Sequence, residues 1–415
     1  MSEEAGASGG EGRRPDSVLA GIRVLDFGRF IAGPASAALL GDLGAEVIRI
    51  DKLGGGEDRG MTPVTAFGEG TMFLQNNRNK VSIEMDIASP AGREVVRRMV
   101  KSADVVVANM PEGTLKSLGL DYETLRAINP RIIASTSSAY GSGGPYSKRI
   151  GFDGVGQVMS GAVYRSGTPE QPVRSAVPYV DYSTALSSAV GVLAALLHRE
   201  HTGEGQHVET NLVGTALMIA SNFLIEQSAL HMNRTATLNR GQLGAPVDMF
   251  RVKDGWLLIQ VAGQPMYERW CKVIGEDEWR TDPRFATDVL RGEHGEIISA
   301  RMQKWCDERT KAEAVAELEA AKIPAYPVYS PQDALDDPHI QAMGYLKPIQ
   351  YRGLPEGTPI VGAPFKLSET PATIRLNPPV SGQHSRQILR EFGYSDAEIE
   401  NLIETGVVRC APADV

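Results

Sequence analysis

The chain has 415 residues, of which 42% are apolar and 22% are charged, and its formal net charge is −9. This length exceeds one small domain, and the composition is that of an ordinary soluble globular protein. The acidic balance excludes a basic field over the whole molecule, so nucleic acid is not an expected partner, although a local basic pocket for a phosphorylated ligand is compatible with it.

The N-terminal half begins with a leader and continues as alternating strands and helices. Residues 1–16 are rich in Gly, Ser and Glu and lack an apolar core, which predicts a disordered leader and not a signal peptide. The predicted strands are IRVLDFG, AEVIRID, KVSIEMD, DVVVANM and RIIASTSSAY. The predicted helices are AGPASAALLGDLG, SPAGREVVRRMVKSA (with Ser89 as N-cap and Pro90 in its first turn) and DYETLRAIN. This alternation predicts a parallel sheet covered on both faces, with ligands beyond the carboxyl ends of the strands.

The pattern changes after Tyr140. The Gly-rich connection GSGGPYSKRIGFDG is of the kind that lets backbone approach a ligand. A helix beginning near Asp181, the strand GQHVETNL and the apolar helix GTALMIASNFLIEQSAL follow. A hairpin with an Asp254-Gly255 turn and two amphipathic helices then indicate a separate smaller domain. The strand-like runs IPAYPVYS and APFKLS and two short helices close the chain.

Several common site and anchor types are not expected. The most apolar run, ALSSAVGVLAALL, is shorter than the roughly 18 residues of a membrane span, so no membrane partner is expected. The three cysteines are odd in number and far apart, which argues for a reducing compartment, and we expect a cytoplasmic protein. The histidines His198, His201 and His207 lie in a charged turn without a recognisable ligand pattern, so no metal is expected.

The first strand-to-helix turn lacks a phosphate-binding fingerprint. Gly28 and Gly33 in DFGRFIAGPAS are too far apart for Gly-x-Gly-x-x-Gly, and no P-loop sequence occurs. The predicted sheet is therefore dinucleotide-like without the dinucleotide signature. These glycines are equally compatible with close packing alone.

Asp181 is the acidic residue at the mouth of the helix in VDYSTALSSAVGVLAALLHRE. One interpretation is an N-cap, which stabilises a helix by roughly 1 kcal/mol. The other is a functional carboxylate, whose ionised form the helix dipole favours by about 0.3–1 kcal/mol. The pattern alone favours the cap.

Seven segments in order resemble the class III CoA-transferase family, whose members include formyl-CoA transferase, the carnitine CoA-transferase and α-methylacyl-CoA racemase. They run from about Ser17 to Val408 and are LAGIRVLDFGRFIAGPASAALLGDLGAEVIRID, NRNKVSIEMD, LGLDYETLRAINPRIIASTSSAYGSGGPY, GFDGVGQVMSG, VDYSTALSSAVGVLAALLHREHTGEGQ, MFRVKDGWLLIQV and LREFGYSDAEIENLIETGVV. The resemblance implies a Rossmann-like large α/β domain built from both chain ends, 17–230 and 331–415. It also implies a smaller inserted α+β domain over 231–330 and an interlocked homodimer.

The resemblance implies that Asp181 is the catalytic nucleophile. Its carboxylate would attack an acyl-CoA thioester to form a mixed anhydride, and the CoA thiolate would then convert the anhydride into an aspartyl thioester, which an incoming acid resolves in reverse. Coenzyme A is then a substrate, and no tightly bound cofactor is expected. Phe152 stands where racemases of the family place a histidine, and because phenylalanine carries no proton, CoA transfer is favoured over α-proton exchange.

Further positions carry over as implied coenzyme A contacts. They are Phe30, Ile31, Ala32, Lys52, Asn109, Met110, Lys148, Arg149, Phe152 and Asp153. Lys52 stands where the formyl-CoA enzyme has an arginine, which keeps the charge but loses the bidentate fork. The residues after Asn109 are Met110, Pro111 and Glu112, so the family's arginine is missing there.

Some of these roles stay open at the level of sequence. Lys116 either replaces the missing arginine or is a surface lysine, and Lys148 and Arg149 either bind phosphate or face solvent. Asp153 either orients a substrate or starts a helix. Gly241 and Gly244 in RGQLGAP resemble in placement the mobile glycine loop of the transferases. The missing arginine is the one feature that favours a non-catalytic CoA-binding protein.

Overall fold

The computed structural model describes residues 17–412, so the leader predicted over 1–16 lies outside the described residues. The chain divides into two compact units. The first, here called the sheet unit, contains residues 17–156, 177–218 and 344–412. The second, the small unit, contains residues 157–176 and 219–343, whereas the sequence suggested one insertion over 231–330.

Twelve strands occur in the described part of the chain. They are β1 Arg23–Asp26, β2 Glu46–Asp51, β3 Lys80–Met85, β4 Val105–Ala108, β5 Ile133–Ser138, β6 His207–Asn211, β7 Val247–Val252, β8 Gly255–Gln260, β9 Ala325–Pro327, β10 Leu346–Pro348, β11 Pro359–Val361 and β12 Val408–Arg409.

Seventeen α-helices connect or follow these strands in residues 17–412. They are α1 Ala32–Asp42, α2 Thr71–Asn76, α3 Pro90–Val100, α4 Glu112–Leu118, α5 Tyr122–Ile128, α6 Asp153–Met159, α7 Tyr179–Thr202, α8 Leu212–Ile219, α9 Ser221–Leu230, α10 Gln264–Ile274, α11 Asp288–Glu293, α12 Gly295–Cys306, α13 Lys311–Ala320, α14 Pro331–Asp336, α15 Pro338–Met343, α16 Ser385–Glu391 and α17 Asp396–Glu404.

The sheet unit is built on a seven-stranded sheet with the order β12-β3-β2-β1-β4-β5-β6. All neighbours are parallel except β12, which pairs antiparallel with β3. The order 3-2-1-4-5-6 is that of a Rossmann fold, so the mixed α/β fold with a mainly parallel sheet is confirmed. The last strand comes from the C-terminal end of the chain, so both chain ends contribute to this sheet.

Both faces of the sheet are covered, because alternate residues of the buried strands point to opposite sides. Leu25 of β1 belongs to a core that α3, α5, α16 and α17 complete. Its neighbour Val24 belongs to a second core with Leu40 of α1 and Val192 of α7. Ser89 caps α3 through the Gly92 N–H at 3.0 Å, and Pro90 occupies the first turn, as the sequence predicted.

Helix α7 is long and apolar enough, by length and composition, to cross a membrane, and it is the one helix of residues 17–412 that is. The sequence interpretation missed this because the apolar run continues as a helix of 24 residues. Val192 and Leu196 pack into the sheet core, and Arg199 pairs with Asp104 at 2.9 Å between Nη2 and Oδ1. One side of α7 therefore packs against the sheet.

The small unit contains an antiparallel sheet in the order β7-β8-β9. The hairpin turns at Asp254-Gly255, as predicted. Helices α10, α12 and α13 cover this sheet around a core centred on the fully buried side chains of Trp270 and Tyr267. The unit thus has its own apolar core, as expected of a separate folding module.

Two predicted elements are wrong. The run APFKLS is not a strand, because Pro364, its second residue, removes a ladder donor. The strand β11 instead ends at Val361 and pairs with β10. The apolar segment GTALMIASNFLIEQSAL forms two helices, because α8 ends at Ile219 and α9 begins at Ser221. One of the points at which the chain passes from one unit to the other lies beside this break, between residues 218 and 219.

Candidate active site

The turn from β1 to α1 is held by polar side chains at the carboxyl ends of two strands. Asp26, the last residue of β1, accepts the Gly28 N–H through Oδ1 at 2.7 Å. Asn109 follows β4 and binds the main chain of Arg29 twice: Oδ1 accepts the N–H at 2.7 Å, and Nδ2 donates to the carbonyl at 2.7 Å. A Cβ on Gly28 would lie 2.7 Å from Asp26 Oδ1, so only glycine fits there. The turn is therefore held in place by side chains of the protein itself.

Phe30 occupies a strained position at the tip of this turn. Its φ of 61° lies in the left-handed region, which is an outlier for a bulky side chain and costs about 1–2 kcal/mol. Its ring meets the ring of Phe152 edge to face, with centroids 5.8 Å apart. Phe30 also packs beside Ile31, Ala35 and Tyr182 in one apolar cluster. Strain that the surroundings maintain in this way is typical of functional sites.

A buried ionic network lies beneath the turn. Lys80 of β3 donates from Nζ to Asp26 Oδ2 at 2.6 Å, to the Pro34 carbonyl at 2.9 Å and to Asn77 Oδ1 at 2.9 Å. Arg49 pairs with Asp58 at 2.9 Å on the same network, and both side chains are fully buried. Burial lowers the pKa of Lys80 to about 8. These contacts tie the carboxyl end of β1 to Arg49 of β2 and to the first residue of β3.

Asp181 lies in the first turn of α7, but it is not the N-cap. The helix begins at Tyr179 with Pro178 at the cap position, so Asp181 is the third helical residue. The cap interpretation is therefore wrong. The backbone N–H of Asp181 donates instead to Oδ1 of Asp153, at 3.0 Å. Asp153 thus supplies a carboxylate from another helix to the positive end of α7, where anions are favoured.

Asp153 is the first residue of α6 and is only 8% exposed. The two helices approach closely, because a Cβ on Gly156 of α6 would lie 2.7 Å from Val180 Cγ1 of α7. Val180 is fully buried against Leu212 and Ala216. Asp153 therefore both starts α6, one of its two predicted roles, and anchors the first turn of α7.

The carboxylate of Asp181 is partly buried and uncompensated. Within residues 17–412, no hydrogen-bond donor or cation pairs with it. Burial, reinforced by the charge of Asp153, raises the pKa of Asp181 from 3.8 to about 7. A capping carboxylate is stabilised by the N–H groups it accepts, and its pKa falls. A carboxyl group that titrates near neutral pH has the property expected of an active-site residue.

The structure brings some of the predicted coenzyme A residues to this location. Phe30, Ile31 and Ala32 form the strand-to-helix turn, and Phe152 joins it to Asp153 beneath Asp181. The side-chain amide of Asn109 forms its hydrogen bonds with the main chain of Arg29, so this residue shapes the turn.

The predicted basic residues lie at the surface. Lys52 Nζ contacts Glu57 at close range. Arg149 lies over the ring of Tyr146, with Cζ 3.9 Å from its centroid, and both Lys148 and Arg149 are exposed. Lys116 pairs with Glu112 at 2.7 Å one helical turn away. The predicted contact Met110 is not basic; it is partly buried against the core of the sheet unit.

Gly241 and Gly244 lie in the small unit, where they line a cavity of about 370 Å³. The Gly241 N–H donates to the Val247 carbonyl at 2.6 Å, and a Cβ on Gly241 would lie 2.7 Å from Val247 Cβ. The segment is therefore closely packed in this structure.

Sequence reasoning missed the residues that support the site. No sequence motif marks Asp26 or Lys80. Asp26 does lie near the end of a predicted strand, and ligands of such sheets lie at strand ends. The contact of Asp153 with the Asp181 backbone joins residues 28 positions apart and has no local signal.

Known proteins have the same fold, and their sequences are similar to this one over most of its length. The sequence model of CoA-transferase family III matches residues 19–385. The succinyl-CoA–L-malate CoA-transferase beta subunit of Chloroflexus aurantiacus is 32% identical over 94% of this chain and 98% of its own length. The succinyl-CoA:glutarate CoA-transferase of Mus musculus is 33% identical over 97% of this chain and 95% of its own.

The formyl-CoA:oxalate CoA-transferase of Rhodopseudomonas palustris is 31% identical, over 94% of this chain and 96% of its own length. The crystal structure of a CAIB/BAIF family protein from Brucella suis superimposes with a TM-score of 0.80 at 30% identity, over 91% of this chain and 99% of that one. The fold is thus that of the CaiB/BaiF proteins. The chain belongs to CoA-transferase family III.

Proposed function

We propose that this protein moves coenzyme A from an acyl-CoA donor to a small carboxylic acid, with Asp181 as the covalent nucleophile. The observation that carries the proposal is the Asp181 carboxylate itself: it is partly buried, it has no counter-ion in residues 17–412, and its pKa is raised to about 7. A poorly solvated carboxylate with a raised pKa is a stronger nucleophile than one in water. Near neutral pH about half of it is ionised and ready to react.

The proposed reaction begins at the Asp181 carboxylate. One carboxylate oxygen attacks the thioester carbonyl carbon, and the carbon–sulfur bond breaks to release the CoA thiolate and leave an aspartyl anhydride. The thiolate then attacks the Asp181 carbonyl carbon, which releases the donor acid and leaves CoA on the aspartyl group. The acceptor acid repeats both steps in reverse and leaves with CoA. Overall, the donor thioester is exchanged for an acceptor thioester of similar energy, so no nucleotide hydrolysis is needed.

The rigid turn at Phe30 and its neighbours supports binding of coenzyme A. The turn stands at the carboxyl end of β1, where ligands of such sheets lie, and Asp26 and Asn109 fix its backbone. We place the adenosine diphosphate end of coenzyme A near Phe30, Ile31, Ala32 and Lys52. The exposed Lys148 and Arg149 add positive charge for its phosphates.

Phe152 argues against a racemase on the same fold. Its side chain packs edge to face on Phe30 and carries no group that exchanges protons. A racemase would incorporate deuterium at the α-carbon of acyl-CoA in heavy water without any acceptor acid. We expect no such uptake.

The acid substrate is proposed to be a small dicarboxylic acid. The relatives described above are named for malate, glutarate and oxalate as acids and for succinyl-CoA or formyl-CoA as donors. Each of these three acids has two carboxylates.

We also propose a cytoplasmic, interlocked homodimer. One face of α7 leaves Leu186, Val190 and Leu197 exposed by 42, 66 and 62%. A stripe of this kind on a long helix is typical of a surface covered by a partner. Val190→Arg is expected to yield monomers in sedimentation equilibrium, whereas Val18→Arg, at an apolar position exposed by 49%, is the matched control.

The covalent step is tested by trapping. The purified protein is incubated with succinyl-CoA and hydroxylamine, which converts an aspartyl anhydride or thioester into a hydroxamate that peptide mass spectrometry locates. We expect the hydroxamate at Asp181 and loss of turnover in Asp181→Asn. Asp121→Asn is the matched control, because Asp121 caps α5 through the Thr124 N–H at 3.2 Å and has no role in the proposal. A hydroxamate at another residue, or full turnover in Asp181→Asn, would refute the mechanism.

A further inference from the structure

The small unit contains a cavity whose charged lining is not used by the reaction at Asp181. It has a volume of about 370 Å³ and lies beside residues 237–244. Three charged side chains line it: Arg165, Arg240 and Asp288. The remaining walls are mainly apolar and include Phe223 and Leu243. The cavity therefore combines cationic groups with hydrocarbon surface.

The guanidinium group of Arg165 is held in place by its neighbours, but its charge is only partly neutralised. It lies over the ring of Phe223, with Cζ 4.4 Å from the centroid, and donates from Nη2 to Gln242 Oε1 at 3.1 Å. Its carboxylate neighbour is Glu226, at 3.5 Å, whereas Glu226 accepts from Arg234 Nε at 2.9 Å. Glu226 is thus shared, and its shorter contact is with Arg234. The Arg165 side chain is only 16% exposed, so its remaining charge is poorly screened by water.

Arg240 and Asp288 differ in how far their charges are compensated. Arg240 lies 3.4 Å from Glu296, whose side chain is 85% exposed, and such surface pairs are weak. Asp288 instead accepts from Arg291 Nη1 at 2.7 Å and from the Gly263 N–H. The negative charge in the lining is therefore paired, and the two arginines leave a net positive potential in the cavity.

The segment beside the cavity is built to hold its shape. Leu238 has a φ of 57°, a strained conformation for an aliphatic residue, and its N–H donates to the Gly167 carbonyl at 2.6 Å. Thr237 Oγ1 donates to the Arg240 carbonyl at 2.7 Å, and Gln242 Nε2 donates to Thr237 Oγ1 at 3.1 Å. Gln242 thus ties Arg165 to the segment that carries Arg240. Two guanidinium groups held on one fixed frame are suited to carboxylate recognition.

We propose that this cavity binds a short aliphatic dicarboxylate, with Arg165 and Arg240 on carboxylate oxygens and the apolar walls on the methylene chain. The site lies wholly within the small unit. The inference takes from the proposed function only the class of ligand, a small dicarboxylate; binding is measurable without acyl-CoA and without turnover.

The test measures binding of glutarate to the full-length protein by isothermal titration calorimetry. Arg165→Gln and Arg240→Gln are each expected to weaken binding about tenfold or more, because each removes a charge-assisted hydrogen bond. Arg284→Gln is the matched control, since Arg284 of the same unit pairs with Asp282 and does not line the cavity. Arg165→Lys keeps the charge and is expected to retain part of the affinity, which guards against a loss caused by local unfolding.

Each outcome decides the proposal. Unchanged affinity in Arg165→Gln and Arg240→Gln overturns it, as does equal binding of the neutral pentane-1,5-diol, or no binding of glutarate at millimolar concentration. Asp181→Asn is expected to bind glutarate like the parent protein, and loss of binding in that variant alone also overturns it. Hydroxylamine trapping at Asp181 is independent of all these readouts, so the proposed reaction and this site can fail separately.

Discussion

Replacing Asp153 by asparagine tests whether its charge tunes Asp181. The Asp153 carboxylate accepts the backbone N–H of Asp181 at 3.0 Å, and its charge is the second cause, after burial, of the raised pKa of Asp181. Asparagine keeps an oxygen that can accept this N–H but removes the negative charge. The variant therefore separates the electrostatic role of Asp153 from its role in positioning α7.

The expected change in the pKa of Asp181 follows from the relative size of the two causes, burial and the Asp153 charge. The pKa of Asp181 rises from 3.8 to about 7, and burial contributes more than Asp153, so the charge accounts for less than half of the rise. We expect Asp153→Asn to lower the pKa of Asp181 by about one unit, which corresponds to about 1.4 kcal/mol. Because the ionised form is the nucleophile, the acidic limb of kcat/KM moves to lower pH. At pH 6 the ionised fraction rises from about a tenth to about a half, so kcat/KM rises about fivefold.

The assay is the pH profile of kcat/KM for CoA transfer from succinyl-CoA to glutarate. Asp121→Asn serves as the control and is expected to leave the acidic limb in place. Asp153→Ala removes both charge and acceptor, so it is expected to lower kcat at every pH as the first turn of α7 loosens. The reasoning is refuted if the limb of Asp153→Asn stays in place or moves to higher pH.

Three further predictions concern stability and the turn at β1. Asp181→Asn is expected to raise the free energy of unfolding by about 2 kcal/mol above pH 7, because the rise of the Asp181 pKa from 3.8 to about 7 corresponds to about 4 kcal/mol before allowance for partial exposure. The gain disappears below about pH 4, where the carboxyl group is neutral in both the folded and the unfolded state. Urea unfolding at pH 4 and pH 8 measures the difference. A gain that grows toward acid pH would contradict this sign. Lys80→Met leaves Asp26 buried without its cation, so unfolding should cost about 3–5 kcal/mol less in chemical denaturation; an unchanged midpoint would show that Asp26 takes up a proton instead. Asn109→Ala removes both hydrogen bonds to the Arg29 main chain, so KM for acyl-CoA should rise severalfold with kcat nearly constant in steady-state kinetics, and a fall in kcat alone would rule out this role.

Local patterns in the sequence predicted the framework of the sheet unit well. Ser89 and Pro90 mark the start of α3 because capping chemistry is local. The apolar runs around Val24 and Val106 predict buried parallel strands, since strands covered on both faces are apolar throughout. The Asp254-Gly255 turn fixes the hairpin of the small unit in the same way.

What depends on contacts distant in the chain could not be predicted. Asp181 was placed at the cap because a carboxylate before an apolar helix usually caps it, but Pro178 takes that position and Asp153 supplies the anion from α6. Neither the burial that raises the Asp181 pKa nor the pairing of Lys80 with Asp26 leaves a trace in residue spacing. The site is therefore recognised from three-dimensional neighbours, whereas the sheet that carries it is recognised from periodicity.

The short strand β12 makes completion of the sheet depend on a segment that is synthesised long after β3. Val408 and Arg409 pair with Met85 and Glu84, about 320 residues earlier in the chain. At a translation rate of roughly 5–20 residues per second, the outer edge of β3 waits about 15–60 s on the ribosome before its partner exists. An unpaired strand edge is a template for pairing with other chains. The outer edge of β3 therefore stays open until β12 has been made, and removal of Val408 and Arg409 would leave that edge unpaired.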